Sequence, residues 1–248
     1  MQTFVCIDDT DSLEEKSTGK LAQAMIERIE EKGMGKCSFI TRHQLYFHPA
    51  IPYTSHNSTM CFIMEHTDNV YKPLKDLAID FLLNESAKGS DPGLCIVEME
   101  KLKDKELLID YGKRAKKEIL TKELAYETAN RLGVHLSEHG GTGDGIIGAL
   151  AGVGLRLTGN DGRIRGKIRF PLPENVLTVK DMLNNSTIDE VRSLEGDLIS
   201  GDEKVVLGEK IKTVFLDYKE VLLIYKKFDE KTNTYNWHTC IREQWVNY

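Results

Sequence analysis

Along its first 155 residues the chain alternates short apolar runs with longer stretches whose apolar residues recur at helical spacing, and this alternation restricts it to an α/β core. Residues 3–7 are β-branched and aromatic enough for a buried strand, which stops abruptly in Asp8-Asp9-Thr10-Asp11-Ser12. From Thr18 onward Leu21, Ala22, Met25, Ile26 and Ile29 share one helical face, and Gly33 stands where such a helix ends. Residues 37–41, 59–65 and 93–98 read as further strands, and 70–83, 104–118 and 121–132 as helices. Residues 42–58, rich in His, Pro, Ser, Thr and Asn, read as one long loop. Residues 134–139 carry Ser, Glu and two His and do not make a clean buried strand, whereas 146–155 form a helix of small and apolar residues.

Beyond Gly159 the character changes to a Pro-containing loop, a polar helical stretch near 178–194, and strand-like runs at 204–207, 211–216 and 220–225. The predicted organisation is an α/β core over 1–158, with a mixed sheet and flanking helices, followed by a smaller β-rich appendage over 159–248.

Composition limits what this framework can serve. A formal net charge of −6 argues against a polynucleotide-coating protein, so any RNA contact needs a local patch, and free tRNA is expected to bind weakly. No apolar run approaches the ~20 residues of a membrane span, and residues 1–5 do not make a signal peptide before Asp8 interrupts them. Cys6, Cys37, Cys61, Cys95 and Cys240 are scattered without zinc-ligand spacing and read as reduced core thiols, which points to a cytoplasmic protein.

Two constellations carry chemistry. Asp8, Asp9 and Asp11 place hard oxygen ligands at the end of a strand, where Mg²⁺ would take one or two carboxylates together with substrate phosphates; the same residue types also make turns and caps without a metal. His139-Gly140-Gly141-Thr142-Gly143-Asp144-Gly145 then opens a helix. It satisfies G-x-G-x-x-G through Gly143, Gly145 and Gly148 but lacks the preceding strand of a dinucleotide fold, and Ile146-Ile147 stand where a Walker A loop needs Lys-Ser/Thr. What remains is a run of backbone amides able to cradle an anion, or simply close helix packing through Gly148 and Gly152. Arg163, Arg165, Lys167 and Arg169 alternate with other residues and as a strand would line one face, for phosphate binding or as a solvated edge. His43, His48, His56 and His139 are candidate acid–base groups without metal-ligand spacing.

Cys6-Ile7-Asp8-Asp9-Thr10-Asp11-Ser12 followed by Thr18 resembles the opening of the archaeal tRNA agmatinylcytidine synthetases. Ile51-Pro52-Tyr53 with Asn57, Asp91-Pro92-Gly93, and Gly143-Asp144-Gly145-Ile146-Ile147-Gly148-Ala149-Leu150 are similar in order and spacing, over roughly the first 155 residues. The resemblance implies a kinase-like domain that binds ATP and Mg²⁺ and phosphorylates the C2 carbonyl oxygen of a tRNA cytidine before the amine agmatine displaces the phosphate. It implies catalytic roles for Asp8, Asp9 and Asp11, with the metal on the same carboxylates, and a phosphorylation site at Thr18, which by itself is also a good helix N-cap. It further implies ATP phosphate binding by Gly141, Thr142, Gly143, Asp144 and Gly145, and a substrate loop containing His56 and Asn57. Two features depart from the family: the chain is expected to have room for neither an OB-type domain nor a zinc ribbon beyond a small appendage, with no cysteine pair for zinc, and Cys6 replaces the usual glycine and is expected to crowd the strand end slightly.

The resulting expectation is an ATP-dependent phosphotransferase or ligase acting on an oxygen of an RNA base or small metabolite. The rivals are a non-catalytic nucleotide sensor and an RNA-binding accessory subunit that needs a separate partner. No DNA or membrane partner is expected; a homodimer is compatible with the sequence.

Overall fold

The computed structural model describes residues 1–11, 17–51, 57–67, 69–170, 175–230, 233–246 and 248. The chain divides into two compact units, Met1–Thr158 and Gly159–Tyr248.

The first unit runs β1 (Gln2–Asp8), α1 (Thr18–Glu31), β2 (Lys36–Cys37), β3 (Thr41–Gln44), β4 (Ser58–Glu65), α2 (Tyr71–Glu85), β5 (Gly93–Glu98), α3 (Lys105–Ala115), α4 (Lys122–Leu132), β6 (His135–Glu138) and α5 (Gly145–Leu157). Its sheet has the order β6-β5-β1-β4-β3, with β2 also on β4, and every pair is antiparallel. β1 lies between β4 and β5, with Cys6 opposite both Cys61 and Cys95. Both of its faces are covered, which is why its sequence is a continuous apolar run. Phe4 and Cys6 pack with α3, α4 and α5; Val5 and Ile7 pack with α1 and α2 on the other side. The unit is therefore a three-layer α/β/α sandwich.

α5 is the most deeply buried helix, with Ile147 alone among its residues only partly buried. Its glycines allow this close approach. A Cβ on Gly154 would lie 2.1 Å from the Leu108 carbonyl oxygen, and one on Gly152 would lie 2.4 Å from Cys6 Sγ. Cys6 therefore does not crowd the strand end: its thiol occupies the room Gly152 leaves and lies 3.1 Å from Thr59 Oγ1.

Two local expectations change, and a third, that residues 134–139 make no clean buried strand, is given its reason. The strand placed at 37–41 is split, because the Ser38 hydroxyl accepts the Ile63 amide at 3.0 Å and interrupts the ladder between β2 and β3. The long loop starts after Gln44, since residues 41–44 pair with β4 and bury His43 completely. Residues 134–139 do contain a strand; β6 is the sheet edge and half-buried, which explains its polar sequence.

The second unit contains β7 (Arg163–Ile164), β8 (Val176–Thr178), α6 (Val179–Asn184), β9 (Glu190–Ser193), β10 (Lys204–Val206), β11 (Thr213–Leu216), β12 (Lys219–Asp229), β13 (Thr234–Thr239) and α7 (Arg242–Trp245). Its strands follow the order β7-β11-β12-β13-β10-β8, with β9 parallel to β12 and β10 parallel to β13, so the mixed pairing of the α/β fold resides here. The helix expected over 178–194 is only six residues long. Asn185 Nδ2 donates to the Asp181 carbonyl and Ser186 Oγ to the Met182 carbonyl, closing α6 ahead of β9. Nor do Arg163, Arg165, Lys167 and Arg169 line one strand face. β7 ends at Ile164, Gly166 turns the chain at φ 130°, and Arg163 is buried with its guanidinium 5.5 Å from the Trp245 ring centroid.

Candidate nucleotide site

Antiparallel pairing brings the ends of β1, β3 and β6 and the beginnings of β4 and β5 to one edge of the first unit's sheet. The rule that ligands gather at the carboxyl ends of strands belongs to parallel sheets. Here strand ends and strand beginnings contribute alternately, and that is how residues far apart in sequence meet.

Asp8 closes β1 and is buried. Its carboxylate rests on α5: a Cβ on Gly148 would fall 1.7 Å from Asp8 Oδ2. Burial, and after it the Asp9 carboxylate, hold the Asp8 carboxyl well above the usual range. Asp9 adopts a left-handed backbone, φ 48°, which is uncommon outside glycine and turns its side chain away from the strand's alternation. Its carboxyl is pushed up to about 6, first by burial and then by Asp91, Asp11 and Asp144. Asp11 accepts a hydrogen bond from Thr18 Oγ1 at 3.2 Å. Thr18 is the first residue of α1 and not its N-cap: Ser17 holds that position, and its carbonyl accepts the Lys20 and Leu21 amides. The Thr18 hydroxyl is thereby free of a capping role and turned to the acidic loop.

The glycine loop stands opposite. Gly141 and Gly143 have φ of 55° and 80°, a region open to glycine at little cost. The amides of Thr142 and Gly143 both donate to Asp91 Oδ1, the second at 3.3 Å. On the other side of the loop Lys122 Nζ donates to the Thr142 carbonyl at 2.5 Å and to Glu138 Oε2 at 2.6 Å, while Tyr126 donates to Glu138 Oε1 at 3.0 Å. Asp144 precedes α5 without a capping bond from its side chain, and Gly145 abuts Gly93 so closely that a Cβ on Gly93 would lie 2.2 Å from the Gly145 carbonyl carbon.

The structure thus brings Asp8, Asp9, Asp11 and Thr18 to the loop of Gly141, Thr142, Gly143, Asp144 and Gly145. His56, Pro52 and Tyr53 lie outside the described residues. Asn57 braces its neighbours: its Nδ2 donates to the Tyr46 carbonyl at 2.8 Å and its carbonyl accepts the Leu45 amide at 2.9 Å. His43 is a core residue bonded to Thr41 Oγ1 at 2.7 Å, so it is no loop acid–base group. His48 accepts the Ala50 amide at 3.1 Å in a local turn, and His139 shares the Ser137 hydroxyl with His135.

Asp91, Lys122, Tyr126 and Glu138 join the candidate site through their hydrogen bonds at the loop and were not singled out as functional from the sequence. Asp91 had a signal in its Asp-Pro-Gly setting; the other three meet only because α4 begins beside the end of β6.

The donors fit Mg²⁺ in kind. They are hard oxygens; burial first, and then the neighbouring carboxylates, raise Asp8 and Asp9, and a divalent cation would relieve the second of these. Among the described residues no three His, Cys, Asp or Glu side chains form a group able to hold a metal ion. Mg²⁺ takes one or two protein carboxylates and keeps water and phosphate in the rest of its shell.

No protein-family profile matches the chain. The tRNA 2-agmatinylcytidine synthetase of Archaeoglobus fulgidus is 31% identical over 163 residues, 63% of this chain and 36% of that protein. The synthetase of Methanosarcina acetivorans is 26% identical over 158 residues, 62% of this chain and again 36% of the relative. An uncharacterised protein of Methanocaldococcus jannaschii is 32% identical over 154 residues and is covered to 50%. Among solved structures, a tRNA fluorescent labelling enzyme superposes with a TM-score of 0.55 at 28% identity, covering 71% of this chain and 40% of that one. A synthetase in complex with tRNA, AMPCPP and agmatine superposes with a TM-score of 0.53 at 25% identity, covering 73% and 43%. Over about three-fifths of its length the chain is similar to the tRNA agmatinylcytidine synthetases, of whose length it spans about a third.

Proposed function

We propose that the first unit binds Mg-ATP between the acidic end of β1 and the glycine loop, and transfers the terminal phosphoryl group to an oxygen of an RNA base or a small metabolite. The observation that carries this reading is the meeting of Asp8 and α5: only a glycine at position 148 leaves room for the Asp8 carboxylate beneath the helix whose first turn follows the loop. That a similar synthetase has been solved in complex with tRNA, AMPCPP and agmatine supports a nucleotide-using reading of this chain.

In this reading Asp8, Asp9 and Asp11 supply one or two ligands to Mg²⁺, which neutralises phosphate charge when bound. Thr142 and Gly143 direct their amides at a phosphate oxygen, and Lys122 fixes the peptide between them through the Thr142 carbonyl. Donors fixed in place before the reaction stabilise developing charge without reorganising, where such enzymes gain most of their rate. The new bond joins the acceptor oxygen to the γ-phosphorus, the bond to the β–γ bridging oxygen breaks, and ADP leaves. Thr18, whose hydroxyl is hydrogen-bonded to Asp11, is itself a phosphorylation candidate. The 51–57 segment, with His56 and Asn57, is the proposed substrate loop. tRNA is the acceptor class the relatives favour.

The test is incubation of the protein with Mg²⁺ and γ-labelled ATP, alone and with tRNA and an amine. Label transferred to the protein at Thr18, or phosphate released only with tRNA present, supports the reading. Binding of ATP with neither outcome, across RNA and metabolite acceptors, would leave a nucleotide sensor in its place.

A further inference from the structure

We propose that Asp91 is an internal anion of the glycine loop, filling the seat that a nucleotide phosphate takes and giving it up only as that phosphate and a divalent cation arrive together. This rests on the proposed Mg-ATP site and adds to it a means of coupling the two ligands.

Three observations converge on Asp91. Its Oδ1 accepts the amides of both Thr142 and Gly143, across a separation of some fifty residues in the chain. The loop is shaped to receive that oxygen: Gly141 sits at φ 55°, and a Cβ there would lie 1.7 Å from Asp91 Oδ1. The donors are aimed from behind, because the Thr142 carbonyl and the Gly143 N–H belong to one peptide unit and point opposite ways. Lys122 holds the carbonyl, so the N–H faces Asp91. Lys122 is in turn held by Glu138, which Tyr126 braces. Consecutive amides so arranged bind a carboxylate or a phosphate oxygen by the same chemistry.

The surroundings set the condition for exchange. Asp91 is close enough to Asp9 to raise its carboxyl, as are Asp11 and Asp144. A phosphate entering the seat would meet these charges, and the displaced Asp91 carboxylate would remain among them. Both repulsions fall when a divalent cation lies on the Asp8–Asp9 side. Phosphate and cation therefore bind as a pair, and the metal-free protein keeps its loop occupied by its own carboxylate.

The experiment compares ATP, ADP and adenosine binding by calorimetry, in excess EDTA and in Mg²⁺, for the wild type, Asp91→Asn and Asp144→Asn. Asp144 lies in the same cluster but its side chain makes no hydrogen bond to these amides, so it reports the general effect of removing one negative charge. The expected result is that Asp91→Asn binds ATP in EDTA about tenfold tighter than the wild type and well beyond Asp144→Asn, as befits loss of a charge-assisted bond that competes with the ligand. Adenosine binding should not change, and the ratio of affinities with and without Mg²⁺ should shrink in Asp91→Asn. Equal gains in both variants, or weaker ATP binding by a stably folded Asp91→Asn, would overturn the proposal and make Asp91 a structural brace. Amide hydrogen exchange at Thr142 and Gly143 gives a second readout, on Asp91→Ala, which has no side-chain acceptor: protection should be lost in that variant and restored by Mg-ATP. Protection that persists in nucleotide-free Asp91→Ala also overturns it. A wild type that binds no ATP under any condition sinks the proposed function itself, whereas the exchange measurement on nucleotide-free protein still tests whether Asp91 fills the seat.

Discussion

Asp9 carries two burdens at once, a left-handed backbone and a carboxylate crowded by Asp91, Asp11 and Asp144. Its folded-state value of about 6 lies above the ordinary 3.8, so the folded chain holds this proton more tightly than the unfolded one. The ionised carboxylate consequently weakens the metal-free fold progressively as pH rises from about 4 through 6, and the penalty persists at neutrality. Asn relieves the charge and tolerates the left-handed region better than most residues. Asp9→Asn is therefore expected to raise the metal-free stability, on the order of 1 kcal/mol at pH 7 once the worth of the shift is discounted for solvent screening of a partly exposed group, while abolishing Mg-ATP binding. Thermal unfolding with and without Mg-ATP checks both halves; a variant that loses stability, or keeps nucleotide affinity, contradicts this role. The three aspartates were legible in the sequence because they follow one another at a strand end. Asp91 and Lys122 were not, because the hydrogen bonds that define their roles join residues from separate elements.

The edge strand β6 shows what an element adds. Its alternation places His135, Ser137 and His139 on one side, with Ser137 Oγ 2.9 Å from His135 Nε2 and 2.8 Å from His139 Nε2. His135 is lowered to about 4, first by burial and then by Lys75 and His139; His139 is also lowered, by burial. Both imidazoles are thus held neutral in the fold, and the unfolded chain binds more protons between about pH 4 and 6.5. Stability should fall as pH drops through that window. Urea unfolding of the wild type against His135→Gln between pH 4.5 and 7 measures it, and the variant should show the flatter dependence; parallel curves would exclude His135 as a source. Elements with both faces covered, β1 and β4, were readable from their apolar runs, and α1 from its periodicity. β6 was obscured by its polar residues, and β3 by its histidine, which the fold buries.

At the scale of the whole molecule the α/β class and a change of character near residue 159 were visible in composition and periodicity, because strands and helices alternate only before that point. In the second unit short strands paired through distant partners, such as β9 with β12 and β10 with β13, left little local signal, and the cationic run at 163–169 misled because Gly166 breaks its extension. The central claim is that Asp8 and the glycine loop form one Mg-ATP site, joined by the close approach of α5 to the end of β1. Calorimetric titration of Mg-ATP into the wild type and Gly148→Ala tests it most directly. A Cβ at position 148 would fall 1.7 Å from Asp8 Oδ2, so the carboxylate must move. Overpacking of this kind costs about 1–3 kcal/mol of stability. The account predicts one Mg-dependent site in the wild type, and loss of most of that affinity in a Gly148→Ala protein that still unfolds cooperatively. Undiminished Mg-ATP affinity in that variant, or no binding by the wild type, would contradict it.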